Sequence, residues 1–168
     1  MLRDQDNPTP HLRPGTVCDV DSILKLETIS FIRIEEQFSR KQIQRLITNP
    51  RAVVVVTVSN DRVVGWAAGL IRRHLRSISG RLCAIAVHPD VRGKGIGKQM
   101  VRHIIHSLTE LGARRIYLEV NAKNRGAIHL YHKLGFADRE YLEDYYGRGY
   151  HGIRMMLSTT SDTGINEK

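Results

Sequence analysis

The 168-residue sequence is short of several features that would fix its class at once. Two cysteines in this length cannot build a disulfide framework and fit a reducing compartment. No apolar run approaches the roughly 20 residues that a membrane-spanning helix needs; the longest, Ala52 to Val58, is broken by Thr57. The first fifteen residues are polar and carry prolines, so no secretory leader is expected there. No internal repeat, metal-ligand set or nucleic-acid-binding motif is visible. Aromatics in basic surroundings are few, which argues against a nucleic-acid partner although the formal net charge is +9. These absences leave a cytoplasmic, single-domain globular protein with no membrane partner, long enough to bury a proper core.

What is present is concentrated in one place. Ile85-Ala86-Val87-His88-Pro89-Asp90-Val91-Arg92-Gly93-Lys94-Gly95-Ile96-Gly97-Lys98 reads as a strand, a glycine-rich basic loop and the first turn of a helix. Helix N-termini expose unpaired N–H groups and the positive end of the helix dipole, so they favour anions. Gly93, Gly95 and Gly97 let the backbone curl close to a ligand, and Arg92, Lys94 and Lys98 add charge. The implied ligand is a pyrophosphate or something very like one. From Ile96 the apolar residues Met100, Val101, Ile104, Ile105, Leu108 and Leu111 make one helical stripe, and Gly112 supplies its stop.

The glycine spacing excludes two phosphate loops. A dinucleotide-binding turn needs G-x-G-x-x-G directly after the strand, and a P-loop needs G-x-x-x-x-G-K-[ST]. A third pattern, [Q/R]-x-x-G-x-[G/A], is met by Arg92, Gly95 and Gly97. It resembles the coenzyme A loop of the GCN5-related N-acetyltransferases (GNAT). Downstream, Ile116-Tyr117-Leu118-Glu119-Val120 alternates as a half-exposed strand does, and Asn124 can cap a helix with Ala127, Ile128, Leu130, Tyr131 and Leu134 on one face before Gly135. The string L-E-V-x-x-x-N-x-x-A-I-x-L-Y-x-x-L-G-F resembles the second half of the same core, in particular that of the RimI-like N-terminal acetyltransferases. The resemblance runs from about His11 to Leu157. It includes Tyr145-Tyr146 and a closing strand at Met155-Met156-Leu157. It departs at Tyr150-His151-Gly152, where many relatives carry an acidic-Asp-Ala run, and this bears on the acceptor.

The resemblance implies a mixed α/β fold whose mostly antiparallel sheet is flanked by helices. It also implies acetyl transfer from acetyl-coenzyme A to a primary amine, in particular a protein or peptide N-terminal α-amine. Ile85, Ala86 and Val87 would pair with the pantetheine arm, and Arg92, Gly93, Lys94, Gly95, Ile96, Gly97 and Lys98 would cradle the pyrophosphate. Asn124 and Tyr131 would complete the cofactor site, with Lys123 or Arg125 at the ribose phosphate. Tyr131 would be the acid and Glu119 the base, twelve residues apart. Phe31, Ile32, Glu119, Tyr145 and Tyr146 would line the acceptor groove. Acyl transfer needs a held cofactor, a neutral amine, a stabilised oxyanion and a stabilised leaving thiolate. No nucleophile is placed for a covalent intermediate, so direct attack in a ternary complex is expected.

Two alternatives stand beside this reading. One is a small-molecule amine acetyltransferase, with Glu35, Glu36, Glu140, Glu143 and Asp144 able to draw a cation such as a polyamine. The other is a non-catalytic coenzyme A- or nucleic-acid-binding module on the same fold. A monomer or a homodimer fits. The cluster Arg72, Arg73, Arg76 and Arg81 is expected to be solvated surface. Cys83 is expected to be packing, and His88 a turn residue.

Along the chain, residues 1–10 are expected to be disordered, 11–157 to form the domain and 158–168 a loose tail. A first strand is expected over Leu12 to Thr16. A helix opened by Asp19 or Asp21 should run to Ser30 with Ile23, Leu24, Leu26 and Ile29 inward. Ser39 and Gln42 form a capping box for a second helix with Ile43, Leu46 and Ile47 inward. Ala52 to Ser59 and Val63 to Arg72 form a hairpin about Asn60-Asp61. Tyr141 to Tyr146 and Ile153 to Leu157 finish the sheet.

Overall fold

Asn60 and Asp61 both take positive φ, 50° and 57°, as the central pair of a tight hairpin turn must. They join β2 (Ala52–Ser59) to β3 (Arg62–Arg73), the hairpin expected from the two β-branched runs. The structure, a computed structural model, describes residues 9–159. Most of the expected N-terminal and C-terminal loose segments therefore lies outside the described residues. The tail does not open at Ser158, which ends the last strand, while the Thr159 N–H donates to the Arg114 carbonyl at 3.0 Å.

Around the hairpin stand β1 (His11–Pro14), β4 (Ile78–Val87), β5 (Arg115–Asn121), β6 (Ala137–Leu142) and β7 (Gly152–Ser158). They form a seven-stranded sheet in the order β1-β2-β3-β4-β5-β7-β6. Every neighbouring pair is antiparallel except β4 and β5. This is the mixed α/β architecture expected. Among the described residues no helix is long and apolar enough to cross a membrane.

On one face lie α3 (Ile96–Glu110) and α4 (Arg125–Lys133). α3 buries Ile96, Met100, Val101, Ile104 and Leu108 against the sheet, each contributing about 1.5–3 kcal/mol of apolar transfer. The helix sits so close that a Cβ on Gly69 would lie 2.5 Å from the Ile104 side chain. The expected stripe ends a turn early, because Leu111 falls at the C-cap and is exposed. α4 starts as expected, with the Asn124 side-chain oxygen accepting from the Ala127 N–H at 3.1 Å.

α1 (Val20–Ser30) and α2 (Arg40–Thr48) cover the other face. The Ser39–Gln42 capping box forms: the Ser39 N–H donates to the Gln42 side chain at 2.8 Å. Ile23, Leu26 and Ile43 are buried as expected, but Ile29 is 53% exposed and Glu27 is turned inward instead. The Glu27 carboxylate accepts from Trp66 Nε1 and from the Phe38 N–H, both at 2.7 Å. These two donors give a buried acid the partners it needs. Asp19 stands at the helix start without capping it. Its carboxylate accepts from the Thr16 N–H and pairs with Arg13 at 2.7 Å.

The last strands also differ from expectation. β6 begins at Ala137, just past Gly135 with its φ of 92°, and Tyr145 and Tyr146 fall in the β6–β7 connection. β6 pairs only with β7 at the sheet's edge, and Ala137 through Tyr141 are exposed, so no apolar alternation marked it. Positive φ at Asp144, 51°, and Gly147, 108°, turns the connection back.

One irregularity sets up the site. The β3–β4 register slips between Ala68 and Gly69, so that Ala68 faces Ala84, Gly69 faces Leu82 and Cys83 is skipped. A skipped residue flips side chains to the opposite faces. Leu82 packs into the α3 core, while Ala84 and Ala86 join the α1–α2 core. Cys83 itself is half-buried and in no disulfide, its thiol donates to the Arg81 carbonyl at 3.6 Å, and burial pushes that thiol up, as fits packing.

Candidate active site

β4 and β5 are paired over only three residue pairs: Ser79–Arg115, Gly80–Ile116 and Arg81–Tyr117. Beyond these, β4 has only β3 beside it and β5 has only β7. The sheet splits there into a wedge. Ile85, Ala86 and Val87 stand on the β4 side, and Glu119 on the β5 side.

The loop from Arg92 to Lys98 closes one end of β4. Gly93 and Gly95 take φ of 76° and 82°, and a Cβ on either would meet nothing within 4 Å. Their backbone thus needs glycine and faces open space. Gly95 is the N-cap of α3 and offers no side chain to the first-turn N–H groups of Ile96, Gly97 and Lys98. Such a run of free N–H groups is a ready cradle for phosphate oxygens, so the residues present fit the coenzyme. Lys94 and Lys98 are exposed beside it. Arg92 donates to the Val87 carbonyl at 3.0 Å and to the Ser30 carbonyl at 3.4 Å, tying the loop to β4 and α1. The Lys123 ammonium lies 4.4 Å from the Tyr150 ring centroid. His88 acts as a turn residue, accepting from the Asp90 N–H at 3.2 Å.

Glu119 projects from the sheet face opposite Ile116, Leu118 and Val120, as its alternation required. Its side chain is 7% exposed, and its two oxygens meet Arg81 at 2.6 Å and Arg154 at 3.1 Å. Arg154 is its direct partner on β7, so the pair follows from register. Tyr131, on α4, is buried edge-on to Phe136. Burial alone pushes its phenol above the ordinary value. Tyr146 is also pushed up, chiefly by burial, then by Tyr145, Glu119, Tyr131 and Glu36 around it. The connection between β6 and β7 thus carries a second phenol within electrostatic range of both Glu119 and Tyr131.

Two loops face each other across this point. Arg33, from the α1–α2 loop that holds Phe31 and Ile32, donates to the Tyr146 carbonyl at 3.2 Å and lies 3.2 Å from the Tyr150 ring centroid. Asn121 hydrogen-bonds Glu36. Phe31 is half-buried toward the α1 core, whereas Ile32 is fully exposed. Tyr145 stacks edge-on with Tyr146 at 4.9 Å and accepts from Arg81 at 3.3 Å. Arg33 thus joins the loop that holds Phe31 and Ile32 to the one that holds Tyr145 and Tyr146. Arg81 and Arg154 were passed over as partners of Glu119 because only strand register joins them.

A cavity of about 310 Å³ opens beside Glu119, lined also by Arg72, Arg81, Tyr117, Tyr145 and Arg154. A larger hollow of about 400 Å³, lined by Arg102, Ile105, His106, Leu134 and Leu157, belongs to the α3–α4 face and holds none of these groups. Among the described residues no cluster of ligands could hold a metal ion.

The chain belongs to the acetyltransferase (GNAT) family, whose model matches residues 20–136. It is 32% identical over 96 residues to an Arabidopsis thaliana N-alpha-acetyltransferase MAK3, covering 57% of this chain and 50% of that one. The chain matches about half the length, or somewhat less, of the first curated relatives. Its fold is that of the Escherichia coli ribosomal-protein-S18-alanine N-acetyltransferase, with TM-score 0.76, 24% identity and coverage of 95% of this chain and 99% of that one. It is also that of Arabidopsis thaliana NAA60 in complex with acetyl-CoA, with TM-score 0.81, 16% identity and coverage of 91% and 100%.

Proposed function

We propose that this chain transfers the acetyl group of acetyl-coenzyme A to a primary amine, a protein N-terminal α-amine, by direct attack in a ternary complex. The carrying observation is the β4–β5 wedge, with a glycine loop at the uncapped start of α3 on one side and Glu119 on the other. The names of the matched relatives, N-alpha-acetyltransferase and ribosomal-protein-S18-alanine N-acetyltransferase, support this reading.

Acetyl-coenzyme A supplies an activated acyl thioester. The N–H groups of Gly93 to Lys98 would hold its phosphates, and the free edge of Ile85 to Val87 its pantetheine arm. Asn124 keeps its side-chain nitrogen free for that ligand, since only its oxygen is spent on the cap. Glu119 would take the ammonium proton through a water, its carboxylate aimed by the two guanidiniums. Tyr131 would present its O–H to the departing sulfur. Because burial makes this phenol a weaker acid than usual while a thiol sits near about 8.5, Tyr131 would stabilise the thiolate chiefly as a hydrogen-bond donor. Tyr146, beside it, could do the same. Arg33, Tyr146 and Tyr150 would frame the acceptor's entry.

A polyamine acceptor is disfavoured by the charges around Glu119. Glu36 is engaged by Asn121, Glu140 by Arg154 and Glu35 by Arg33, and three arginines line the cavity beside Glu119. The test is release of free coenzyme A thiol by purified protein with a panel of peptide, amino-acid and polyamine acceptors. Acceptor-dependent release with peptides is expected. Tight acetyl-coenzyme A binding with no release for any acceptor would make the chain a non-catalytic binding module.

A further inference from the structure

The arginine cluster from Arg72 to Arg81 has no part in the cofactor loop, and the fold divides it. Arg72 near the end of β3 and Arg81 in β4 both line the cavity beside Glu119, together with Arg154, Tyr117 and Tyr145, whereas Arg73 and Arg76 do not. Three guanidiniums therefore surround a single carboxylate in a hollow of about 310 Å³, at the small end of the sizes ligand pockets occupy.

Internal pairing does not consume this charge. Glu119 meets Arg81 at 2.6 Å and Arg154 at 3.1 Å, and Arg154 reaches out to Glu140 at 2.5 Å. Two carboxylates thus engage two guanidiniums. Arg72 has no ion-pair or side-chain hydrogen-bond partner among the described residues. A concave site of one sign focuses its field on whatever enters, and a free guanidinium fork matches a carboxylate in shape and charge. One uncompensated cation suits one negative charge.

Resting on the reading of the wedge as an amine-acetylating site, we propose that this cavity selects acceptors that carry a carboxylate close to the reacting amine. Arg72 is the specificity-determining residue, and Arg81 and Tyr145 form the wall beside it. The carboxylate has two possible sources: an acidic side chain within the first residues of a peptide, or the carboxylates of a free amino acid. Polycationic acceptors are turned away by the same field.

The experiment compares kcat/KM for matched peptides that differ only by Glu or Gln at the first, second or third position, together with free glutamate and glutamine. The Glu member of at least one pair should be favoured by about tenfold at low salt, and Arg72→Gln should reduce that preference below about twofold. Faster turnover of the Glu peptide than of free glutamate identifies the peptide source, and the reverse identifies the small acceptor. Arg72 is exposed near a strand end, so its replacement removes no core contact. Product binding gives a second reading that needs no turnover: N-acetylated Glu and Gln peptides are titrated by calorimetry. Weaker binding of the Gln product supports the assignment. Equal rates within every pair and equal product affinities overturn it. If no acceptor turns over while acetyl-coenzyme A binds, the acetylation reading fails, and the product titration still decides the cavity's preference.

Discussion

Arg81 and Glu119 meet at 2.6 Å across the point where β4 and β5 part. Arg81 is the last β4 residue in the short parallel ladder, and Glu119 lies two residues past its β5 counterpart, Tyr117. The ion pair therefore closes the blind end of the wedge. With Arg154 on the other oxygen, it holds the carboxylate between two guanidiniums.

Glu119→Gln keeps the side chain's size but removes its capacity to take a proton. The rate should fall by about 10²-fold near pH 7, where an α-amine of pKa about 8 is mostly protonated. Raising the pH deprotonates the amine in solution and should return part of the loss. A pH–rate series on both proteins checks this. An equal loss at every pH, with the acceptor KM raised, would make Glu119 an acceptor-binding residue.

Tyr131→Phe and Tyr146→Phe separate the two phenols. If Tyr131 donates to the leaving sulfur, its loss should lower kcat by about 10²-fold with coenzyme A affinity little changed. Burial holds both phenols above their ordinary value, so neither ionises as the pH rises toward 10. The wild-type profile should therefore show no descending limb below that pH. Full activity in Tyr131→Phe with loss in Tyr146→Phe would transfer the role to Tyr146.

Much of this site was open to sequence reading, and the omissions have physical causes. The α3 stripe, the Ser39–Gln42 box and the Asn60-Asp61 turn are local, and local rules fixed them. The facing of Glu119 came from alternation along β5. Its two arginines did not, because Arg81 and Arg154 reach it through the register of separate strands. Glu27 was not among the residues expected inward on α1. Its place was decided by Trp66, 39 residues away in sequence, and by the Phe38 N–H. Tyr145 and Tyr146 were assigned to a strand because β6 is an exposed edge with no apolar rhythm to mark it.

Glu27 ties α1 to β3 and to the loop before α2, and Glu27→Gln should loosen that tie. The two donors meet different carboxylate oxygens, and the amide NH2 that replaces one of them cannot accept, so a buried N–H is left alone at a cost of about 1–3 kcal/mol. Burial raises the Glu27 carboxyl above its usual range. A raised value adds stability that is present at acid pH and lost as the pH rises through the folded-state value. The stability gap between wild type and variant should therefore be wider at pH 5 than at pH 8 in urea denaturation. A gap that widens toward pH 8 would contradict the assignment.

Gly95→Asp places a side chain and a negative charge in the space the loop keeps clear, at a φ of 82° that disfavours any side chain. Calorimetry should show coenzyme A binding abolished in a folded variant. In the wild type, affinity should fall as salt rises, because Lys94 and Lys98 are exposed and screened. Unchanged binding in the variant, or affinity flat across ionic strength, would remove the phosphates from this loop.

The central claim is acetyl transfer to an amine at the wedge, and isotope tracing reads it most directly. Purified protein is incubated with acetyl-coenzyme A labelled in the acetyl carbonyl and a peptide with a free N-terminus. Tandem mass spectrometry then locates the label. The account predicts label on the α-amine, none on a peptide with a blocked N-terminus, and a loss of about 10²-fold in Glu119→Gln at neutral pH. Unlabelled peptide from wild-type protein saturated with acetyl-coenzyme A would contradict it.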